Sequence, residues 1–284
     1  MNILVTLDEN YFPRLQVLLT SMKINNPGTR ISLYILHNRL PDILLRQTEN
    51  WCREAGYDFI PVQMDETLFE GAPVSSRYPV EMYYRLLAPQ MLPEKTDKVL
   101  YLDPDILIIN PLNAVWETEL GENLFAAAAH TGKTEFANGV NKLRLGVEHD
   151  YYNSGVLLMN LKLGRRLIIP EKIFEYVEEH RMELVLPDQD LLNAMYGDRV
   201  LPLDDSLWNY DARNYNNYMV RSSAQYNLDW VMENTAVLHF CGKSKPWKPG
   251  YLYRFGVLYK HYEKLAKRSW TGIRRSKGSL AVLN

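Results

Sequence analysis

The sequence predicts an α/β fold in which a mostly parallel central sheet is flanked by helices. Apolar, β-rich runs alternate with segments of helical apolar periodicity up to about residue 165, and this alternation is typical of parallel sheets. A hydrophobic content of 46% over 284 residues is enough for a large core. No stretch rich in Gly, Pro or Ser divides the chain. We therefore expect a single domain over 1–259, followed by a basic tail over 260–284.

Each predicted element follows from its apolar pattern and from the residues that end it. In the first helix, Leu15, Leu18, Leu19 and Met22 recur at helical spacing before an Asn-Pro-Gly stop. In the second helix, Gly56 is the expected terminator. The predicted strands cover 2–7, 31–37, 57–64, 99–111, 124–130, 154–161 and 235–240. The predicted helices cover 8–28, 41–56, 81–93 and 171–184, with a further helix after residue 189.

Charge and cysteine content exclude several classes of protein. A net charge of -2, with acids and bases nearly balanced, lacks the global field of a nucleic-acid-binding protein, so we expect no nucleic acid partner. Cys52 and Cys241 lie far apart, which indicates neither a disulfide framework nor a thiolate zinc site and fits a reducing compartment. The N-terminus has no signal-peptide pattern, and no apolar run reaches the roughly 18 to 20 residues of a membrane span. We therefore expect a cytoplasmic protein.

Two aspartates interrupt the apolar run VLYLDPDILIINP at 99–111. Uncompensated carboxylates are costly in an apolar setting, so Asp103 and Asp105 must lie at the exit of the strand or meet a positive charge. Open α/β sheets bind ligands at the carboxyl ends of their strands. Pro104 biases Asp103 toward an extended conformation, in which side chains i and i+2 point to the same side. The pair predicts a site for Mn²⁺ or Mg²⁺, with an acidic turn as the alternative.

A second candidate segment, AVLHFCGKSKPWKPG, covers 236–250. His239 lies near the end of an apolar strand and is followed by Gly242, which permits close backbone approach, and by lysines that include Lys245. A metal-diphosphate site requires a further metal ligand and cationic donors, which the imidazole and the lysines would supply. The alternative is that His239 is a core residue whose hydrogen bonds are made within the protein. The Gly-Lys-Ser that begins at Gly242 is not a P-loop, because that motif requires glycine where Val237 stands.

Two further motifs carry polar side chains that suit a sugar. In LPDQDLLN, Asp188 is either a helix N-cap or, with Gln189, part of a polar pair in a cleft. In DYYNSGVLLMN, Asn153 either forms a plain turn or hydrogen-bonds a sugar hydroxyl. An aromatic and Asn-rich stretch over 207–230 suits either stacking on acceptor sugar rings or a packed subdomain. Its aromatic residues include Trp208, Tyr210, Tyr215, Tyr218 and Tyr226.

The order and spacing of five motifs resemble glycosyltransferase family 8, which includes bacterial lipopolysaccharide galactosyl- and glucosyltransferases and glycogenin. The motifs are VTLDENY, LYLDPDIL, YYNSGVLLMN, LPDQDLLN and HFCGKSKPW, and they extend over nearly the whole chain. Together they are far more specific than any single one. The resemblance implies a GT-A type, Rossmann-like fold with an aromatic acceptor region.

The resemblance also implies a role for each motif residue. The implied ligands of Mn²⁺, with Mg²⁺ as an alternative, are Asp103, Asp105 and His239. The implied uracil and ribose residues are Asp8, Asn10 and Tyr11, and the implied residue near the donor sugar and phosphate is Arg85. The implied diphosphate residues are Gly242 and Lys245, and the implied donor-sugar residues are Asn153, Asp188 and Gln189.

The implied activity is transfer of a hexose from UDP-galactose or UDP-glucose to a saccharide or glycolipid acceptor, such as lipopolysaccharide core, with retention of anomeric configuration. We assign the catalytic positions to Gln189 and Asp188. Because an amide is a poor nucleophile, we interpret Gln189 as stabilising positive charge on an oxocarbenium-like centre. Front-face attack by the acceptor, with the leaving phosphate taking its proton, needs no enzyme nucleophile.

Three other activities stay open at the level of the sequence. A sugar-phosphate nucleotidyltransferase is expected to carry a Gly-rich loop after its first strand, where this chain reads LDENYFPR. A glycoside hydrolase would use paired carboxylates without a late histidine and a lysine loop. A non-catalytic nucleotide-sugar binder would carry the same motifs as the enzyme.

The predicted tail carries seven Lys and Arg residues from Lys260 onward against one acid, Glu263, with Trp270 among them. Basic and aromatic segments of this kind can bind anionic membrane surfaces, and the tail resembles the basic C-terminal segments of family members that act at membranes. A solvated C-terminus is the alternative. We expect peripheral contact with the inner face of a membrane.

Overall fold

The computed structural model describes residues 1–64, 66–73, 81–129 and 134–278, which form ten strands and twelve α-helices. The strands are β1 (Asn2–Thr6), β2 (Ser32–His37), β3 (Asp58–Gln63), β4 (Lys98–Leu102), β5 (Ile106–Ile108), β6 (Phe125–Ala128), β7 (Val156–Asn160), β8 (Val200–Leu203), β9 (Tyr210–Asp211) and β10 (Val237–His239). The helices are α1 (Phe12–Asn25), α2 (Asp42–Ala55), α3 (Glu81–Met91), α4 (Asn113–Glu117), α5 (Thr134–Leu145), α6 (Leu161–Leu167), α7 (Pro170–Glu179), α8 (Pro187–Tyr196), α9 (Asp205–Trp208), α10 (Tyr215–Arg221), α11 (Leu228–Asn234) and α12 (Gly256–Gly278).

A seven-stranded sheet in the order β3-β2-β1-β4-β7-β6-β8 forms the centre of the fold. Strands β1 to β4 pair in parallel, and β8 is parallel to β6. Only β7 runs against its neighbours β4 and β6 among the strands of this sheet in the described ranges. The mostly parallel sheet predicted from the sequence is therefore confirmed.

Alternate residues of β4 face opposite sides of the sheet, and both sides are covered. Leu100 and Leu102 belong to one buried cluster, which includes side chains of α1, α2 and α12. Val99 and Tyr101 belong to the other, which includes side chains of α3, α7 and α8. A strand buried on both faces reads as a continuous apolar run, which is why this segment was recognisable from its sequence.

A second sheet of three strands, in the order β5-β10-β9, carries the late histidine to the carboxyl end of β4. β10 pairs antiparallel with β5, so that His239 lies opposite Ile106, and parallel with β9, so that His239 lies opposite Asp211. The single strand predicted over 99–111 is therefore wrong in one respect. The chain turns at Pro104 because the two halves of the run pair in different sheets.

Most other predicted elements are confirmed, and Gly56 ends α2 with a φ of 75° as expected of a helix-terminating glycine. Strands β8 and β9 and several short helices were not predicted from the sequence; these elements are only two to seven residues long. Such short elements contain too few repeats of an apolar pattern to stand out. His130, the end of one predicted strand, lies outside the described residues.

The C-terminal helix α12 crosses residue 260 and packs on α1 and α2. Trp270 is only 7% exposed, its ring stacks on Trp51 with centroids 5.2 Å apart, and it meets Phe12 edge to face. Trp270 is thus a core residue and is not available to a membrane surface, which corrects that part of the prediction. The boundary at 260 stays a prediction, and the tail residues 279–284 lie outside the described ranges.

Within the described ranges, no helix combines the length and the apolar character that crossing a membrane requires.

Candidate active site

Three residues with metal-binding side chains come together where the two sheets meet. Asp103 and Asp105 follow β4, and His239 is the last residue of β10. Nε2 of His239 lies 3.2 Å from Oδ1 of Asp105 and 3.8 Å from Oδ2 of Asp103. One ligand atom from each residue lies within 4.8 Å of the others. The structure thus brings the late histidine to the Asp-Pro-Asp turn, although the two are far apart in the sequence.

The donor set of this cluster fits a divalent cation. Two carboxylates and one imidazole offer both oxygen and nitrogen ligands. Mn²⁺ accepts both kinds of ligand, whereas Mg²⁺ prefers oxygen. Asp105 and His239 are buried, and Asp103 is half-buried, so the three side chains are held in place by their surroundings. Asp103, Asp105 and His239 could therefore hold the metal that the sequence predicts.

Positive charges keep Asp105 ionised. Burial by itself would raise the pKa of the Asp105 carboxyl, but His239 and Lys245 outweigh burial and hold this pKa well below its usual range. Nζ of Lys245 donates to Oδ2 of Asp105 and, at 2.8 Å, to the carbonyl oxygen of Phe240. Lys245, for which the sequence predicts diphosphate binding, therefore lies directly beside the metal-binding cluster.

Arg85 on α3 links the Asp-Pro-Asp turn to the start of α8. Its guanidinium lies 3.2 Å from Oδ1 of Asp103 and 3.2 Å from Oδ2 of Asp188. It also donates to the carbonyl and hydroxyl oxygens of Ser154, at 2.9 and 3.1 Å, and lies over the ring of Tyr101, 4.8 Å from its centroid. A planar guanidinium can make all these contacts at once, which an ammonium cannot.

Asp188 is not the N-cap of α8, so that interpretation of the sequence is wrong. Leu186 occupies the cap position, without a side-chain bond to the helix. The fully buried Asp190 accepts the backbone N–H groups of Val185 and Leu186 instead, at 2.6 and 2.8 Å. Asp188 accepts from the hydroxyl of Ser154 at 3.0 Å. Because Asp190 holds the helix start, Asp188 is available for the ion pair with the arginine of α3.

A chain of side-chain hydrogen bonds connects His239 to Gln189. Nδ1 of His239 lies 2.9 Å from Oδ1 of Asn209. Nδ2 of Asn209 donates to Oδ1 of Asn153 at 2.9 Å, and Nδ2 of Asn153 donates to Oε1 of Gln189 at 3.0 Å. Oδ1 of Asn153 also accepts the backbone N–H of Gly155 at 3.0 Å. Asn153 thus forms the local turn expected of it and, at the same time, contacts Gln189.

Asn209 and Gly155 are site residues for which the sequence predicts no role of their own. Gly155 belongs to the Asn-Ser-Gly motif, and its position directly before β7 was the signal that could have revealed it. Asn209 lies in a stretch rich in asparagine, where no local pattern separates it from its neighbours. Its part in the site depends on contacts with distant segments of the chain.

One cavity borders the metal-binding cluster, and a second cavity is linked to the cluster through Lys245, which donates to Asp105. Residues lining the first, of about 250 Å³, include Asp8, Tyr11, Arg85, Asp103 and Asp105. Residues lining the second, of about 520 Å³, include Asn10, Tyr11, Gly242, Lys245 and Trp247. Tyr11 borders both cavities, and Asp8 fixes its backbone by accepting its N–H at 3.0 Å. The residues predicted for the nucleoside, the diphosphate and the metal therefore lie around one pair of neighbouring cavities.

Gly242 is required by the geometry of the loop that follows β10. Its φ of 73° lies in the left-handed region, which favours glycine. A β-carbon at this position would also lie 3.2 Å from Cζ of Arg213. The glycine thus lets the loop turn back beside Arg213, whose guanidinium is paired with Asp211 at 2.7 Å.

The aromatic stretch 207–230 divides between the core and the surface. Tyr210 and Tyr218 are buried and stack on each other, with ring centroids 3.9 Å apart. They cannot stack on a sugar, so for these two residues that interpretation is wrong. Tyr215 is half-buried and borders a cavity of about 350 Å³, whose other lining residues include Arg213, Tyr253 and Arg254.

A mostly parallel α/β sheet with an acidic pair at the carboxyl end of its middle strand is typical of enzymes that bind their ligands at that edge, and it does not by itself define one activity. Comparison with known proteins is more specific. Residues 2–249 match the family described as "Glycosyl transferase family 8", so the chain belongs to glycosyltransferase family 8. The nucleotidyltransferase and glycoside hydrolase alternatives are therefore excluded.

Known relatives cover most of the chain. General stress protein A of Bacillus subtilis (strain 168) is 28% identical over 282 residues, which are 96% of each chain. A lipopolysaccharide 1,2-glucosyltransferase of Escherichia coli is 25% identical over 251 residues, which cover 85% of this chain and 71% of the relative. A crystal structure of the galactosyltransferase LgtC with donor and acceptor sugar analogs superposes with a TM-score of 0.78 at 27% identity, over 96% of this chain and 100% of that chain. The expected GT-A type fold is confirmed.

Proposed function

We propose that the protein is a retaining, Mn²⁺-dependent hexosyltransferase that moves galactose or glucose from a UDP-sugar to a saccharide or glycolipid acceptor, such as lipopolysaccharide core. Mg²⁺ is the alternative metal. The observation that carries the proposal is the convergence of Asp103, Asp105 and His239 within 4.8 Å beside two cavities. Relatives named lipopolysaccharide 1,2-glucosyltransferase and lipopolysaccharide 1,3-galactosyltransferase support a hexose as the transferred group.

The donor occupies the two neighbouring cavities in this proposal. Asp8, Asn10 and Tyr11 hold uracil and ribose at the rim, where Tyr11 lies edge to face with Trp247. Asp103, Asp105 and His239 hold the metal, which, when bound, neutralises charge on the departing diphosphate. Lys245, Arg85 and the backbone of Gly242 line the same cavities and supply further positive charge and close approach.

The hexose ring lies next to Asn153, Asp188 and Gln189 in this proposal. Gln189 and Asp188 are adjacent at the start of α8, and both are connected by hydrogen bonds to the turn before β7. Gln189 stabilises positive charge on the anomeric carbon, and Asp188, paired with Arg85, fixes the position of the ring. The acceptor hydroxyl attacks from the face that the diphosphate leaves and passes its proton to the leaving phosphate, so no side chain of the protein is a nucleophile.

The acceptor binds in the cavity of about 350 Å³ bordered by Tyr215, Tyr253, Arg213 and Arg254. Two observations support this assignment. The cavity combines aromatic faces with guanidinium donors, which suits a saccharide. It is also close to the donor, because the backbone N–H of its lining residue Ala212 donates to the carbonyl oxygen of His239 at 3.0 Å.

Calorimetric titration of UDP with and without Mn²⁺ tests the donor site. We expect UDP to bind only with Mn²⁺, and the same protein to hydrolyse either UDP-galactose or UDP-glucose slowly to UDP. Asp105→Asn is expected to lose the metal-dependent binding. The control Asp42→Asn, which changes an exposed carboxylate on α2, is expected to behave as the wild type. Metal-independent binding of UDP would overturn the metal assignment, and binding without turnover of either sugar would identify a non-catalytic binder.

Peripheral contact with an anionic membrane rests on exposed cations of α12. Lys260, Lys264, Lys267 and Arg268 are exposed, whereas the opposite face of the helix packs on the core. We expect the protein to cosediment with vesicles of phosphatidylcholine and phosphatidylserine, and added salt to weaken this binding. We expect no cosedimentation with vesicles of phosphatidylcholine alone. The double variant Lys264→Glu/Arg268→Glu should abolish it, whereas the control Lys172→Glu on α7 should not. Equal binding of the wild type, the double variant and the control to both kinds of vesicle would contradict a contact between α12 and an anionic membrane.

A further inference from the structure

Asn209 is buried between the metal-binding cluster and the residues proposed to hold the sugar. It is 0% exposed, and the two ends of its amide meet different parts of the site. Its Oδ1 lies 2.9 Å from Nδ1 of His239, and its Nδ2 lies 2.9 Å from Oδ1 of Asn153. Asn153 in turn contacts Gln189 at 3.0 Å. One side chain therefore lies between a metal ligand and the amides of the sugar site.

One backbone N–H group determines which atom donates in each hydrogen bond between His239, Asn209, Asn153 and Gln189. The N–H of Gly155 can only donate, and it points at Asn153 from 3.0 Å, so the atom it meets is the oxygen Oδ1. Asn209 meets the same oxygen and must therefore present its Nδ2 to it. This leaves Oδ1 of Asn209 facing His239. An oxygen acceptor at that position requires a proton on Nδ1 of the imidazole.

The same reasoning determines the orientation of the two outer side chains in this series of hydrogen bonds, His239 and Gln189. Because Asn209 accepts from Nδ1, Nε2 is the ring nitrogen that faces Asp103 and Asp105. Without a metal, Nε2 pairs with Asp105 as part of a positively charged imidazole; a bound metal would take the place of the proton on Nε2, and the partner on Nδ1 holds the ring in the orientation that this requires. At the other end, Nδ2 of Asn153 faces Gln189, so Gln189 presents its oxygen to Asn153.

We propose that Asn209 is a positioning residue that couples the two halves of the site: it holds His239 in the metal-binding orientation and, through Asn153, sets the orientation of Gln189. The proposal rests on the proposed function for its consequences in catalysis. The hydrogen bonds that make up the coupling are observed in this structure and do not depend on the proposed function. Removing both bonds of Asn209 therefore affects metal binding and sugar transfer together, although Asn209 is itself neither a proposed metal ligand nor a proposed sugar-binding residue.

Two substitutions separate the two ends of the amide. Asn209→Asp keeps an acceptor for Nδ1 of His239 but has no donor for Asn153, and it is nearly identical in size. Asn209→Ala removes both contacts. Asn26→Ala is the matched control, because Asn26 is also buried and its side chain bonds two backbone groups, the carbonyl oxygen of Met22 and the N–H of Leu112.

The first readout is the Nδ1–H proton of His239, observed by NMR in metal-free protein labelled with ¹⁵N-histidine. Wild type, Asn209→Asp and Asn26→Ala are expected to show it as a slowly exchanging signal, and Asn209→Ala to lose it. The second readout compares Mn²⁺-dependent UDP binding with kcat. Asn209→Asp should retain the affinity while kcat falls about tenfold, and Asn209→Ala should lose about tenfold in both.

The coupling is overturned if Asn209→Ala keeps the protected proton, or if it keeps both the affinity and kcat of the wild type. It is also overturned if Asn26→Ala reproduces the whole pattern, since the effects would then reflect stability alone. A wild-type protein that shows the protected proton but binds no Mn²⁺·UDP would refute the proposed function instead. The two failures are therefore distinguishable.

Discussion

Gly155 lies directly against the ring of His239. A β-carbon on Gly155 would lie 3.0 Å from Nδ1 of His239 and closer still to Cε1, and it would lie 2.7 Å from Oδ2 of Asp103. Such distances are shorter than packed atoms tolerate, and neither neighbour is the end of a long, flexible side chain. The absence of a side chain at this position is therefore a condition for the metal-binding cluster to assemble.

Replacing Gly155 by alanine should displace His239 and Asp103 and weaken the site. We expect Mn²⁺-dependent UDP binding to fall at least about tenfold, measured by calorimetry. The control is Gly139→Ala on α5, where a β-carbon would meet nothing within 4 Å, and its binding should change by less than about twofold. Unchanged binding in Gly155→Ala would show that the His239 ring does not need this space.

Replacing Arg85 by lysine should impair transfer more than folding. A lysine keeps the charge but cannot bridge Asp103, Asp188 and the backbone of Ser154 together. Hydrogen bonds to charged groups contribute about 1.5–3 kcal/mol each, so we expect kcat/KM for the UDP-sugar to fall about 10- to 100-fold. Steady-state kinetics measures this. The control Arg46→Lys, on the exposed side of α2, should keep wild-type kinetics, and an equal loss in both variants would count against the bridging role.

Truncating Trp270 should destabilise the whole domain. Trp270 stacks on Trp51 and meets Phe12, so it connects α12 to α2 and α1. Loss of a buried tryptophan costs about 3–5 kcal/mol of unfolding free energy. Urea unfolding of Trp270→Ala should show this loss, whereas Val257→Ala, at an 80% exposed position on the same helix, should change stability by about 0.5 kcal/mol or less. Equal stability of the two variants would mean that the helix contributes little to the core.

Neither native cysteine should react at pH 8. Burial raises the pKa of the Cys52 thiol to about 12, and burial also raises the pKa of Cys241 although His239 opposes it. Because the thiolate is the reactive form and a raised pKa leaves little of it at pH 8, a thiol reagent such as DTNB should modify the native protein very slowly. Both thiols should react in guanidinium chloride, and a Lys172→Cys variant should add one fast-reacting thiol. Rapid modification of the native wild type would contradict the burial of the two groups.

Much of the site was predictable because its residues lie in local patterns. Asp103 and Asp105 are recognisable where an apolar run stops, and His239 where another run ends next to Gly242. Other features were not predictable. Asp188 looked like a helix cap, since a local pattern cannot reveal that Asp190 already performs that function.

The sequence by itself determined the alternation of strands and helices, the polar residues at the strand ends and the family. These depend on neighbours within a few residues, whose periodicity and turn preferences are local. Only the tertiary structure decided that β4 and β5 pair in different sheets, that Asn209 joins His239 to Asn153, and that Trp270 is a core residue rather than a membrane contact. Each of these is a contact between segments distant in the chain, and it forms only because strand pairing and close packing in three dimensions bring them together.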